Sequence, residues 1–215
     1  FLLNTVNLQT MLATKASRVV HAARGRSVIE FGLRRTQGTD AGMKAARCSY
    51  IAGASGTSNV LAGMKYGIPI FGTMAHSFVM FFDNELEAFR AFVDTFPNKS
   101  TLLIDTYDNT KGAENASIAA KELENKGFHL GSVRLDSGDL AEISKKVRSM
   151  LNEKELSHVK IFASGDLDEY KIQKLISKGA KIDAFGVGTR MSTSEDRPYV
   201  DIIYKLCEKM EKNGE

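Results

Sequence analysis

Arginines, carboxylates, a histidine and glycines fall in short clusters along this 215-residue sequence, and several clusters have the make-up of an anion site. In Arg134-Leu135-Asp136-Ser137-Gly138-Asp139, the alternate residues Arg134 and Asp136 share one side of an extended segment. A guanidinium so placed can hold a polyphosphate, and the carboxylate beside it can serve Mg²⁺ or a sugar hydroxyl. An ordinary ion pair is the competing explanation. Asp105 and Asp108 supply further carboxylates earlier in the chain. Arg34-Arg35 sets two guanidiniums side by side, which suits a carboxylate or phosphate ligand. Phe185-Gly186-Val187-Gly188-Thr189-Arg190 is a glycine-rich strand-to-helix turn. Glycine lets backbone N–H groups approach phosphate, and a helix N-terminus favours the anion, although a tight turn alone would explain the motif equally well. His76, in Gly72-Thr73-Met74-Ala75-His76-Ser77, has polar company and suits proton transfer or phosphate acceptance, against the plainer reading of a hydrogen-bonded structural histidine. His21, His129 and His158 lack such a setting and read as structural.

The elements that must carry these residues follow a regular rhythm. Apolar, β-rich runs occur at Val28–Phe31, Ile68–Phe71, Leu102–Ile104, His129–Val133, Val159–Ala163 and Ile182–Val187. Helical patterns lie between them, at Asn84–Thr95, Lys111–Asn125, Leu140–Asn152 and Leu167–Lys178. Strands alternating with helices imply parallel pairing in a β/α layer or barrel. Gly127 and Gly179 are placed to end helices, Asp139 and Asp166 to cap the starts of others, and Pro69 to head its strand. Polar residues then follow each run: Arg34 and Arg35, Thr73 and His76, Asp105 and Asp108, Arg134 and Asp136, Ser164 and Asp166, Gly188 and Thr189. In a β/α barrel these strand ends converge on one mouth, where active sites are built. The pattern is that of an enzyme.

Composition narrows the classes. A net charge of +3, with both signs interspersed, gives no basic stripe for nucleic acid. No apolar run reaches membrane-span length and no signal peptide is visible, so a cytosolic protein is expected. Cys48 and Cys207 form no metal or disulfide motif and read as small core residues. The chain opens at Phe1 with helical spacing already under way, so a leading helix within residues 1–26 and a missing upstream part are expected.

The ordered segments LLNTVNLQTMLATKA, EFGLRRTQGTDAGMKAARCSYIAGASGTSNVLAG, GTMAHSF, LLIDTYD, VRLDSGDL, KIFASGDLDEY and FGVGTR together resemble the nicotinate phosphoribosyltransferase family, nearly end to end. The resemblance implies an α/β fold, an irregular TIM-like β/α barrel of the type II phosphoribosyltransferase kind. Residues 1–215 would be the barrel domain, incomplete, with the family's upstream α/β sandwich domain and C-terminal extension absent and a Lys/Glu-rich helix closing the chain. It implies that nicotinate and phosphoribosyl pyrophosphate give nicotinate mononucleotide and pyrophosphate, with Mg²⁺ and with ATP as co-substrate, in a homodimer sharing its active site. His76 matches the histidine that ATP phosphorylates, and Arg134 and Asp136 are its catalytic companions. Arg34 grips the substrate's anionic group, and Gly165, Gly188 and Thr189 cradle the 5′-phosphate. Thr73, Ser77, Asp105, Ser164, Asp166 and Gly186 complete the expected substrate contacts, with Asp105 and Asp136 as metal ligands.

Substrate choice rests on one position. Related nicotinamide enzymes carry Asp within a GTD segment, whereas Gly56-Thr57-Ser58 stands here. A carboxylate would repel nicotinate, while the Ser58 hydroxyl can donate to it. The alternatives are a nicotinamide or quinolinate phosphoribosyltransferase of the same fold, a non-catalytic nucleotide-binding barrel, and an unrelated barrel lyase or aldolase. For the last, Lys160 and Lys181 lie at the wrong strand ends for a Schiff base.

Overall fold

The computed structural model describes residues 1–98 and 100–208. Helix α1 (Leu2–Ala22) leads into β1 (Ser27–Glu30), a 3₁₀ turn (Leu33–Arg35), α2 (Thr39–Ile51), β2 (Gly56–Thr57), α3 (Val60–Tyr66) and α4 (His76–Met80). Helix α5 (Glu85–Thr95) and four β/α steps follow: β3 (Thr101–Leu103), α6 (Asn109–Asn125), β4 (Ser132–Leu135), α7 (Leu140–Glu153), β5 (Lys160–Ala163), α8 (Glu169–Ser177), β6 (Ala184–Val187) and α9 (Thr189–Ser192). The strands form one parallel sheet in the order β2-β1-β6-β5-β4-β3, curled into a half-barrel. The first strand pairs with the last through Ser27↔Ala184 to Glu30↔Val187, which bends the sheet back on itself. All strands run the same way, so all their C-terminal ends face the same mouth.

Parallel strands buried by helices read as apolar runs, and the core shows why. Val133, Leu135, Ile161, Ala163, Phe185 and Val187 are buried beside Ala113, Ala116, Ala120 and Leu123 of α6 and Val147 and Leu151 of α7. The alanine-rich face of α6 lets that helix lie close to the sheet. Helix α1 packs through buried Met11, Leu12, Ala16 and Val19 and is pinned further by charge: Lys15, 3% exposed, meets Glu169 at 2.9 Å and Asp196 at 2.7 Å. An ion pair that deep is held by its partners, and losing one would strand a buried charge.

Helix boundaries follow capping chemistry. The side chains of Asn59, Asn84, Asp108, Asp139 and Asp168 accept hydrogen bonds from the first turns of α3, α5, α6, α7 and α8. Gly127 and Gly179 take positive φ just past α6 and α8, as expected.

Several expectations are corrected. Asp166 does not cap α8; Asp168 does, and the helix starts at Glu169 rather than Leu167. Ile68–Phe71 is not a strand, because only Ile70 bridges to Thr57. The edge strand is instead the two-residue β2, too short to leave a periodic signal. The fourth strand begins at Ser132, leaving His129 in the preceding loop. Cys48 is buried, but Cys207 is exposed. Most of the Lys/Glu-rich helix expected at the end falls on 209–215, outside the described residues, and residues 201–208 before it are not helical. No helix among the described residues is long and apolar enough to cross a membrane.

Candidate active site

At the C-terminal strand ends lies an open cleft of about 660 Å³. Arg134, from β4, stands at its centre, and its guanidinium is used on every side. Nε donates to Ser164 Oγ at 2.7 Å, Nη1 to Thr73 Oγ1 at 2.8 Å and Nη2 to Asp136 Oδ1 at 2.7 Å. Ser164 in turn donates to Asp136 Oδ1 at 2.5 Å. The same guanidinium sits 5.7 Å from the centre of the Phe31 ring, and Phe31 meets Phe162 at 5.5 Å. Such a fork is preorganised, so little rotamer entropy remains to be lost on ligand binding.

Asp136 is held from behind. Asp105 Oδ2 accepts from the Asp136 N–H at 2.8 Å and from the Ser137 hydroxyl at 2.6 Å. Burial pushes the Asp136 carboxyl up, but the Ser164 hydroxyl and the Arg134 guanidinium outweigh it and His76 adds to them. Its pKa therefore falls below the ordinary carboxylate value. The outer oxygen, Oδ2, lies 3.9 Å from His76 Nε2, while His76 Nδ1 meets Thr106 Oγ1 at 3.2 Å. His76 opens α4 and is half-buried, with one ring nitrogen anchored and the other on the Asp136 side.

Two glycines are required here by close approach. A side chain on Gly165 (φ +98°) would strike the Asp136 carbonyl, and one on Gly186 would enter the Phe162 and Phe31 rings beneath Arg134. Gly165, Gly188 and Thr189 all line the cleft where β5 and β6 end. Asp166 lines it too, with a non-glycine φ of +50°. Its carboxylate is gripped by Arg190 Nε at 2.8 Å and Lys171 Nζ at 2.7 Å, and these bonds pull its pKa down to about 2.

The opposite wall is less constrained. Arg34 and Arg35 in the 3₁₀ turn are exposed, and among the described residues neither guanidinium has a hydrogen-bond or carboxylate partner. Ser58 is half-buried on the same wall, its N–H held by the Glu30 carbonyl at 2.9 Å.

The cleft thus gathers His76, Arg134, Asp136, Arg34, Ser58 and Thr73, along with Ser164, Gly165, Asp166, Gly186, Gly188 and Thr189. Two expected residues stand apart. Ser77 is exposed on α4 and does not line the cleft, and Asp105 is buried behind Asp136 with Oδ1 unpartnered. Sequence reasoning missed Phe31 as the platform under Arg134. It also missed Glu30, which is 1% exposed and accepts from Gly32 N at 2.5 Å, Thr57 Oγ1 at 2.6 Å and Ser192 Oγ at 2.8 Å. Those bonds tie the end of β1 to β2 and α9, under the wall that carries Arg34 and Ser58. A carboxylate inside an otherwise apolar strand was the available signal, since buried charge needs such partners.

A parallel β/α half-barrel with arginines and glycines gathered at its C-terminal strand ends has the architecture on which barrel enzymes build their active sites. Residues 27–214 match the model of the nicotinate phosphoribosyltransferase (NAPRTase) family, and the chain belongs to that family. It is 53% identical over 206 residues to the nicotinate phosphoribosyltransferase pncB2 of Mycobacterium tuberculosis, covering 96% of this chain and 44% of that protein. It is 44% identical over 214 residues to the nicotinate phosphoribosyltransferase of Bacillus subtilis, covering 99% and 43%. The chain therefore spans less than half the length of these curated relatives. Among solved structures, it resembles a nicotinate-nucleotide pyrophosphorylase from Pyrococcus furiosus (TM-score 0.78, 31% identity, 89% of this chain and 49% of that one). It also resembles the human nicotinic acid phosphoribosyltransferase (TM-score 0.77, 30% identity, 87% and 48%).

Proposed function

We propose that the protein joins nicotinate to the phosphoribosyl group of phosphoribosyl pyrophosphate, releasing pyrophosphate and nicotinate mononucleotide. The observation that carries this reading is the Arg134–Asp136–Ser164–Thr73 network at the centre of the cleft, facing His76. In the transfer, the bond from the anomeric carbon to pyrophosphate breaks and the pyridine nitrogen bonds to that carbon. Positive charge develops on the ribosyl group and negative charge on the leaving pyrophosphate. Asp136, kept ionised, faces the first charge and Arg134 the second, so catalysis is positioning and electrostatics. The backbone at Gly165, Gly188 and Thr189 receives the 5′-phosphate. Arg34 and Ser58 receive the carboxylate of nicotinate, and the apolar lining at Phe31, Ile70 and Phe71 suits its ring.

Asp136 Oδ2 and the unpartnered Asp105 Oδ1 are hard oxygen donors that fit Mg²⁺, whose charge when bound would offset that of the pyrophosphate. ATP acts as co-substrate by phosphorylating His76. Thr106 holds Nδ1 and leaves Nε2 as the acceptor. The working unit is a homodimer sharing the mouth, a reading supported by the exposed apolar rim at Val60 (56%), Ile70 (49%) and Phe71 (43%).

The test uses protein expressed from its uncut gene, given equal nicotinate, nicotinamide and quinolinate with phosphoribosyl pyrophosphate, Mg²⁺ and ATP. Mass spectrometry should find nicotinate mononucleotide dominant, and Ser58→Asp should weaken nicotinate use. A dominant nicotinamide product, or unchanged acid-to-amide selectivity in the variant, would refute the substrate assignment. Protein quenched during turnover should carry phosphate on His76; phosphate only elsewhere would exclude the phosphohistidine.

A further inference from the structure

The opposite, N-terminal end of the strands carries a second cluster that the transfer reaction does not use. Glu124 lies in the last turn of α6, His129 in the loop entering β4 and His158 in the loop entering β5. Strands β4 and β5 pair with Ser132 opposite Lys160, so the two loops that precede them are neighbours. The fold thus brings together three side chains from three separate segments, and their candidate ligand atoms all lie within 4.8 Å of one another.

The geometry is that of ligands around a small ion. His158 Nε2 is 3.4 Å and His129 Nδ1 3.7 Å from the same oxygen, Glu124 Oε1. Ligands at about 2.0–2.1 Å from a tetrahedral Zn²⁺ stand ~3.3 Å from one another, so the His158 spacing matches a coordination edge and the His129 spacing needs a small inward rotation of an exposed ring. The two imidazoles meet edge to face at 77° rather than stacking, with centroids 5.3 Å apart. Lys121 Nζ engages the other oxygen, Glu124 Oε2, at 3.1 Å and leaves Oε1 for the ion.

The platform is firm. Leu123, Leu130 and Leu156 beside the three ligands are buried. The Gly127 N–H bonds to the Glu124 carbonyl at 2.9 Å and the Phe128 N–H to the Leu123 carbonyl at 3.2 Å. A ligand set on fixed backbone loses little entropy on closing around an ion. His129 is largely exposed and His158 and Glu124 partly so, with side-chain exposures of 72%, 41% and 21%, which gives the ion a path in.

We propose that Glu124, His129 and His158 bind a divalent ion of the zinc class (Zn²⁺, Co²⁺ or Ni²⁺) through two imidazole nitrogens and one carboxylate oxygen, with a fourth position open to water. Imidazole donors select these ions over Mg²⁺. Bound there, the ion clamps the C-terminus of α6 to the loops that feed β4 and β5, the strands that carry Arg134 and Ser164.

The test titrates the full-length protein with Zn²⁺ against a chromophoric chelator and records melting temperature with Zn²⁺, with Mg²⁺ and with EDTA. The comparison proteins are Glu124→Gln, His129→Ala and His158→Ala, with His76→Ala to remove the other histidine that sits beside a carboxylate. The wild type should take up one equivalent that each of the three variants loses, with affinity falling by about tenfold or more. Zn²⁺ should raise the melting temperature of the wild type and of His76→Ala but not of the three variants, and Mg²⁺ should not reproduce the rise. In EDTA the three variants should melt with the wild type, which separates loss of a ligand from loss of the fold. Equal Zn²⁺ affinity in wild type and variants, no uptake by the wild type, or uptake abolished by His76→Ala alone would overturn the proposal.

Discussion

The two walls of the mouth are built on different principles. On the β4–β5 side, Arg134, Asp136, Ser164 and Thr73 are bonded to one another before any ligand arrives, and Asp105 braces the Asp136 backbone. On the β1–β2 side, Arg34, Arg35 and Ser58 stand at the cleft without side-chain partners among the described residues. Oriented dipoles and charges stabilise a transition state without reorganising, whereas an unpartnered guanidinium gains most when an anion binds. In the proposed reaction, the first wall would carry the chemistry and the second would anchor the substrate.

The largest expected effect breaks the prebuilt wall. Arg134→Lys keeps the charge but cannot donate at once to Ser164, Thr73 and Asp136. Steady-state kinetics should show kcat reduced by roughly 10²–10³-fold, the usual cost of removing a positioned electrostatic group. An unchanged kcat would mean that the network is scaffolding. Next comes the anchoring wall: Arg34→Ala should raise KM for nicotinate by roughly 10–100-fold, the equivalent of one charge-assisted hydrogen bond, with kcat nearly preserved. A fall in kcat with KM intact would erase the distinction between the walls.

The smallest effect concerns a carboxylate that shares the mouth but is already neutralised. Asp166 is bound by Arg190 and Lys171 and is more than half exposed, so Asp166→Asn should cost no more than ~1 kcal/mol at neutral pH. Its folded pKa is depressed from 3.8 to about 2, so its contribution is present above pH 3.8 and disappears as pH falls towards 2. Acid unfolding of Asp166→Asn should therefore be shallower across that window than that of the wild type. Identical acid profiles would show that the ion pairs persist in the unfolded chain or contribute nothing.

What could be read from the sequence follows the range of each interaction. Arg134 and Asp136 are two residues apart on a strand, so alternation alone places them together, and they meet at 2.7 Å. The parallel β/α class was legible for the same reason, since it rests on periodicity within each segment. The role of Asp166 was not legible. Both Asp166 and Asp168 are plausible caps in Ser164-Gly165-Asp166-Leu167-Asp168, and only the fold brings Arg190, 24 residues away, onto the first of them. Ser164 was expected at the cleft and lines it, but its cross-strand bonds to Arg134 and Asp136 were not legible. Likewise, β2 has two residues and owes its existence to pairing with β1, not to its own propensity.

The most direct test of the division between the walls is one set of kinetic measurements with both substrates varied, on wild type, Arg134→Lys and Arg34→Ala side by side. The account predicts that the Arg134 change falls on kcat and the Arg34 change on KM for nicotinate. Both changes falling on the same parameter to the same degree would contradict it.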